Sequence, residues 1–142
     1  MPIHNFTVDP DKKGMKKLLG DLESDIMEIV WVGKTVSVRD VYTELNKTRD
    51  LAYTTVMTVM SRLAVKGILE RVKDSNSFLY KPVHSREDFT SFSVRKVVTE
   101  LMENFSTPAI SHFLDSIEEE NPEKIDELIK LIEAKRKLRD NA

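Results

Sequence analysis

Apolar residues begin to recur at helical spacing at Leu19 and continue through Leu22, Ile26, Ile29 and Val30 until Trp31 and Gly33 close the segment. This pattern predicts a first helix. Ser37 and Asp40 then stand three apart, the spacing at which a serine oxygen accepts an early helix amide and the acid reaches back to the serine amide. Val38, Val41, Tyr42 and Leu45 follow at i, i+3, i+4 and i+7, so a short second helix buries one face. After the polar turn 46–50, the stretch from Tyr53 to Gly67 repeats the arrangement with Val56, Val59, Met60 and Leu63, and Gly67 suits the position just past a helix end. Two short strands, 69–73 and 78–82, flank the turn Asp74-Ser75-Asn76-Ser77, and Pro82 belongs at a strand end or edge.

Beyond Ser85 the chain is helical in period. Phe89, Phe92, Val97, Val98, Leu101, Met102 and Phe105 mark one long helix, and Thr107-Pro108 offers an N-cap and first-turn proline for a second that contains Ile110, Phe113, Leu114 and Ile117. Asn121-Pro122-Glu123 starts a third, with Ile125, Leu128, Ile129 and Ile132 on one stripe and Lys135, Arg136, Lys137 and Arg139 at the end where the helix dipole favours cations. Residues 1–17 mix Pro2, Pro10, Gly14 and four lysines without periodicity. The expected organisation is a flexible tail over 1–17, a domain of three helices and a hairpin over 18–84, and a helical region over 85–142. The fold class is mainly α with one small β-hairpin.

The third helix has an unusual polar face. Opposite Val56, Val59, Met60 and Leu63 lie Thr54, Thr58 and Ser61, flanked by Thr55, Met57 and Arg62. Threonine and serine are less favourable on an exposed helix than Glu, Lys or Ala, by about a few tenths of a kcal/mol each. Something other than helix stability selects them. Small hydroxyl side chains allow close approach and bond donors or acceptors on base edges, and a threonine methyl packs on a thymine methyl. A short helix, a turn, this helix and then a basic hairpin is the order of a winged helix-turn-helix. Lys73 and the Ser/Asn turn would then form a wing within reach of phosphates.

The charge count at first argues otherwise, because 22 Lys and Arg against 24 Asp and Glu give a net charge of -2. The distribution changes the picture. The window 47–81 holds Lys47, Arg49, Arg62, Lys66, Arg71, Lys73 and Lys81 against Asp50, Glu70 and Asp74, whereas 115–127 holds seven carboxylates against Lys124 alone. Lys66, Arg71 and Lys73, with the tail lysines Lys12, Lys13, Lys16 and Lys17, are the candidate phosphate contacts.

Little else in the chain carries chemistry. No cysteine is present, which removes disulfides, thiolate metal sites and cysteine nucleophiles. Gly33-Lys34-Thr35 resembles the end of a phosphate-binding loop, but Glu28 stands where its first glycine belongs. His4, His84 and His112 are too scattered to suggest a metal site, and no serine has the glycine flanks of a nucleophile elbow. No apolar run approaches a membrane span and the N-terminus lacks a signal-peptide core, so the expectation is a cytoplasmic protein that is not an enzyme and needs no metal or cofactor.

The strings LGDLESDIMEIVW from Leu19, TVSVRDVYTEL from Thr35, YTTVMTVMSRLAVKG from Tyr53 and Tyr80-Lys81-Pro82 closely resemble the penicillinase-repressor (BlaI/MecI) family, particularly its actinobacterial members. The resemblance runs from about Leu19 to Lys137. It implies a winged-helix repressor that binds inverted-repeat operators of TACA/TGTA type as a homodimer and controls β-lactamase or related antibiotic-response genes. Carried over by position, Tyr53, Thr54, Thr55, Met57, Thr58 and Arg62 would face DNA, with Arg71 and Lys73 near the wing. A three-helix dimerisation region is implied after Ser85, to which Val98, Leu101, Phe105, Phe113, Leu114, Leu128, Ile129 and Ile132 would contribute. The family is relieved by a β-lactam sensor-protease system that cleaves an Asn-Phe bond, and Asn104-Phe105 resembles that bond. The copper-responsive branch is similar in its DNA-binding half but uses cysteines, which this chain lacks. Two other readings stay open on the residues alone, a winged-helix protein-interaction module and a regulator gated by a small ligand.

Overall fold

The computed structural model describes residues 14–74 and 77–141. The helical spacing that starts at Leu19 becomes α1 (Asp21–Gly33), which turns Ile26, Met27 and Val30 fully inward. Both halves of the capping box form at α2 (Val38–Leu45): the Asp40 amide donates to Ser37 Oγ at 3.0 Å and the Ser37 amide donates to Asp40 Oδ2 at 2.9 Å. Two otherwise orphaned amides are thereby satisfied where the chain enters the helix. α3 (Tyr53–Val65) buries Val56, Met60 and Leu63, while Val59 sits half-buried at the margin of the core.

Gly67 ends α3 as its position suggests. It has a φ of 81°, its amide donates to Ala64 O at 3.1 Å, and the Ile68 amide donates to Leu63 O at 3.0 Å. This pair of bonds reverses the chain tightly and needs a left-handed residue, which glycine supplies without a Cβ penalty. The reversal leads into β1 (Leu69–Asp74), paired antiparallel with β2 (Ser77–Pro82) so that Arg71 opposes Tyr80 and Lys73 opposes Phe78. Ser75 and Asn76, the expected hairpin tip, lie outside the described residues. Val36 adds an antiparallel bridge to Tyr80, with N···O distances of 2.9 and 2.7 Å, and so ties the segment between α1 and α2 to the hairpin. The three helices and the hairpin close around one core in which Val41 and Leu45 of α2, with Ile68, Leu69 and Tyr80, join the inward residues of α1 and α3.

Two expected boundaries shift. The tail reading fails at its end: Gly14–Lys17 is a short 3-10 turn, Met15 is buried, and the amides of Leu18 and Leu19 both donate to Met15 O. An apolar group as brief as Met15, Leu18 and Leu19 is too short to register as a period, yet it caps the core beside α1. Lys12 and Lys13 lie outside the described residues. At the other end, the split expected at 84/85 falls instead between Arg95 and Lys96. The cause is Phe89, which is 1% exposed and packs its ring 5.7 Å from that of Trp31, while Trp31 Nε1 donates to His84 O at 3.1 Å. The first turns of the following helix therefore belong to the core of the first unit.

That helix, α4 (Arg86–Glu120), is broken at Phe105, whose φ and ψ of -141° and 46° are not helical. Pro108 explains the break: it has no N–H to offer the Asn104 carbonyl, and its ring crowds that oxygen. The second unit comprises the remainder of α4 and α5 (Lys124–Asp140), and no described residue from 96 onward is buried. In α5, Lys124 Nζ lies 2.9 Å from Glu127 Oε2, and this hydrogen bond raises the lysine pKa above its ordinary value. No helix among the described residues is long and apolar enough to cross a membrane.

Candidate nucleic-acid interface

α3 is amphipathic in an uncommon sense: its outer face is mostly hydroxyl and thioether, with Arg62 as its one charged side chain. Thr54, Thr55, Met57, Thr58 and Arg62 are all exposed, Met57 at 43%, and the helix contains no acidic residue. The inward pull of Val56, Met60 and Leu63 fixes this orientation, because a rotation about the helix axis would bring those three into water. A face with donors, acceptors and methyl groups but no carboxylate suits a polyanion that carries hydrogen-bonding edges.

Ion pairing separates the cations around this face into two groups. Of the seven in 47–81, four rest on carboxylates: Lys47 on Glu44 at 2.9 Å, Lys66 on Glu23 at 2.9 Å, Lys81 on Glu70 at 3.7 Å, and Arg49 on Asp25. Arg62, Arg71 and Lys73 have no carboxylate partner among the described residues. Lys66, grouped with the phosphate contacts from the sequence, thus ties the end of α3 to α1. The Glu23 and Asp25 pairs span more than twenty residues of chain, so no local spacing announces them.

Arg71 is held by a different set of contacts. Its guanidinium stands 5.0 Å from the Phe78 ring centroid and 5.6 Å from that of Tyr80, and Nη2 reaches Ser61 Oγ at 3.5 Å. Strand pairing produces this, since Tyr80 is the direct cross-strand partner of Arg71 and Phe78 is its diagonal neighbour. The hairpin and α3 are linked through that side chain. Lys73, opposite Phe78, is exposed further out on the hairpin. Tyr53, the first residue of α3, is 37% exposed and meets Tyr42 edge-on at 5.6 Å. The Arg39 guanidinium lies 5.4 Å over the Tyr53 ring, a contact from α2 that the sequence reading missed.

In the second unit the positions assigned to dimerisation are not brought into any core. Val98, Leu101, Phe105, Phe113, Leu114, Ile129 and Ile132 are exposed and Leu128 is half-buried. Val98, Leu101, Met102, Phe105 and Phe113 line an apolar groove of about 590 Å³ beside the break in α4. Asn104 and Phe105 sit at the break itself, with Asn104 Nδ2 donating to Glu100 O at 3.0 Å.

The family model described as the penicillinase repressor matches residues 19–134. The transcriptional regulator BlaI of Mycobacterium tuberculosis is 36% identical over 101 residues, which span 70% of this chain and 73% of that protein. The penicillinase repressor of Bacillus licheniformis is 26% identical over 121 residues, 84% of this chain and 94% of the relative. That of Staphylococcus aureus is 27% identical over 106 residues, 75% and 83% of the respective chains.

Proposed function

Because this chain belongs to the penicillinase repressor family of transcriptional repressors, we propose that it represses as a homodimer that sets one α3 per protomer into the major groove of an inverted-repeat operator. The observation that carries this reading is the acid-free outer face of α3, bordered by Arg62, Arg71 and Lys73, which have no carboxylate partner among the described residues. Thr54, Thr55, Met57 and Thr58 contact base edges. Arg71 and Lys73 on the hairpin neutralise phosphates, which makes affinity fall with salt. The operator is of TACA/TGTA type, and the regulated genes are those of β-lactamase or a related antibiotic response.

The second unit supports dimerisation on physical grounds. A segment that leaves Val98, Leu101, Phe105, Phe113 and Ile132 in water cannot offset its own chain entropy, and a second copy of the same surface covers them. Two half-sites bound together give far more affinity than one. Loss of the dimer therefore releases the operator. The Asn104-Phe105 bond lies where α4 is already non-helical and Phe105 is exposed, the condition a protease needs to fit a peptide into its cleft. Phe105→Ala is expected to stay full-length in cells treated with a β-lactam while the wild type is cut. Equal cutting of both proteins removes this bond from the mechanism.

The reading is tested by incubating the purified chain with sheared genomic DNA and sequencing what it retains. A recurrent inverted repeat upstream of a few genes is the expected result. Retention without sequence preference, or none at all, refutes it.

A further inference from the structure

Arg39 is a cation that neither the sequence pattern nor the interface above employs. It lies in the first turn of α2, and the one acid beside it in sequence, Asp40, already serves the Ser37 amide at 2.9 Å. No carboxylate partners its guanidinium among the described residues. It rests instead 5.4 Å over the ring of Tyr53, and Tyr42 braces that ring edge-on at 5.6 Å. A guanidinium held over a ring by cation–π attraction spends none of its N–H donors on that contact. A carboxylate would have consumed them, as Glu23 does with Lys66.

The location gives that edge a target. Tyr53 opens α3, immediately before the exposed Thr54 and Thr55, so Arg39 borders the N-terminal end of the face that carries base contacts. In a helix-turn-helix the helix before the recognition helix crosses the nucleic-acid backbone. We propose that Arg39, seated on Tyr53 and braced by Tyr42, is a phosphate-binding residue that fixes where the N-terminal end of α3 stands in the groove. The inference rests on the DNA-binding reading above and adds to it a clamp on α2, at the other end of α3 from Arg71. Tyr53 acts here as a positioning residue through its ring.

The test uses the full chain with two duplexes, one carrying a TACA/TGTA inverted repeat and one with the same bases scrambled, titrated by fluorescence anisotropy at several salt concentrations. Arg39→Gln is expected to weaken binding to both duplexes by a similar factor and to lower the salt slope by about one ion per bound protomer. Arg39→Lys keeps the charge and is expected to keep the slope. Both variants are expected to fold, because Arg39 is exposed, and circular dichroism melts check this. An unchanged slope in Arg39→Gln overturns the proposal, as does an equal loss of slope in Arg39→Lys. A wild type that binds neither duplex overturns the DNA-binding reading and this inference with it, whereas a wild type that binds with Arg39→Gln unaffected overturns this inference alone.

Discussion

Phe113→Glu is expected to convert the protein to a monomer by sedimentation velocity and to weaken binding to an inverted-repeat duplex by about 10²- to 10⁴-fold, the factor by which linking two modules exceeds one. The side chain is 57% exposed in the single chain, where it lines the apolar groove beside Val98, Leu101 and Phe105. Replacing it therefore costs the isolated chain little. In the proposed dimer this carboxylate would be buried against a second copy of the apolar groove, which costs several kcal/mol, about the level of other poorly compensated buried charges. Binding to a half-site should survive at high protein concentration with an unaltered preference for sequence. A variant that remains dimeric and binds as the wild type does would place the assembly surface elsewhere.

Phe89→Ala carries the second large effect, a loss of about 3–5 kcal/mol in unfolding free energy, which for a unit of this size lowers Tm by about 15 °C or more. Although it belongs to α4, Phe89 is 1% exposed and seated against Trp31 in the core of the first unit. Phe92, three residues on, is 46% exposed against His84, and its alanine variant should cost less than about 1 kcal/mol. The contrast is informative because a sequence-based boundary at 84/85 would place both residues outside that core. An equally small loss in both variants would place the boundary at 84/85.

Periodicity carried the local elements well and the long-range ones poorly, for physical reasons visible in particular residues. α1, α2 and α3 were legible because each repeats apolar residues at helical spacing, and the Ser37 and Asp40 capping bonds form between residues three apart. The reversal at Gly67 was legible because a left-handed turn favours glycine. Helical spacing marks which residues face inward, but not which core they enter, so the period alone groups Phe89 with the C-terminal helices. Met15 leaves no such signal, because a single turn has no period to detect.

Charge suffered more. A count of cations cannot distinguish Lys66, held by Glu23 from α1, from Arg62, which no carboxylate holds among the described residues. The hydroxyl face of α3 was legible as an anomaly of helix propensity. Its cationic border was not, because the contacts of Arg39 and Arg71 with aromatic rings depend on how α2 meets α3 and on strand register.

In the proposed function the outer face of α3 chooses the sequence. The most direct test is to select bound fragments from a random duplex pool with the wild type and with a Thr54→Ala, Thr58→Ala double variant, both exposed positions whose replacement leaves the core intact. The wild type is expected to enrich one inverted repeat, and the double variant to lose preference at one or two positions of each half-site while retaining salt-dependent binding. An identical motif from both proteins, or no motif from the wild type, would contradict the account.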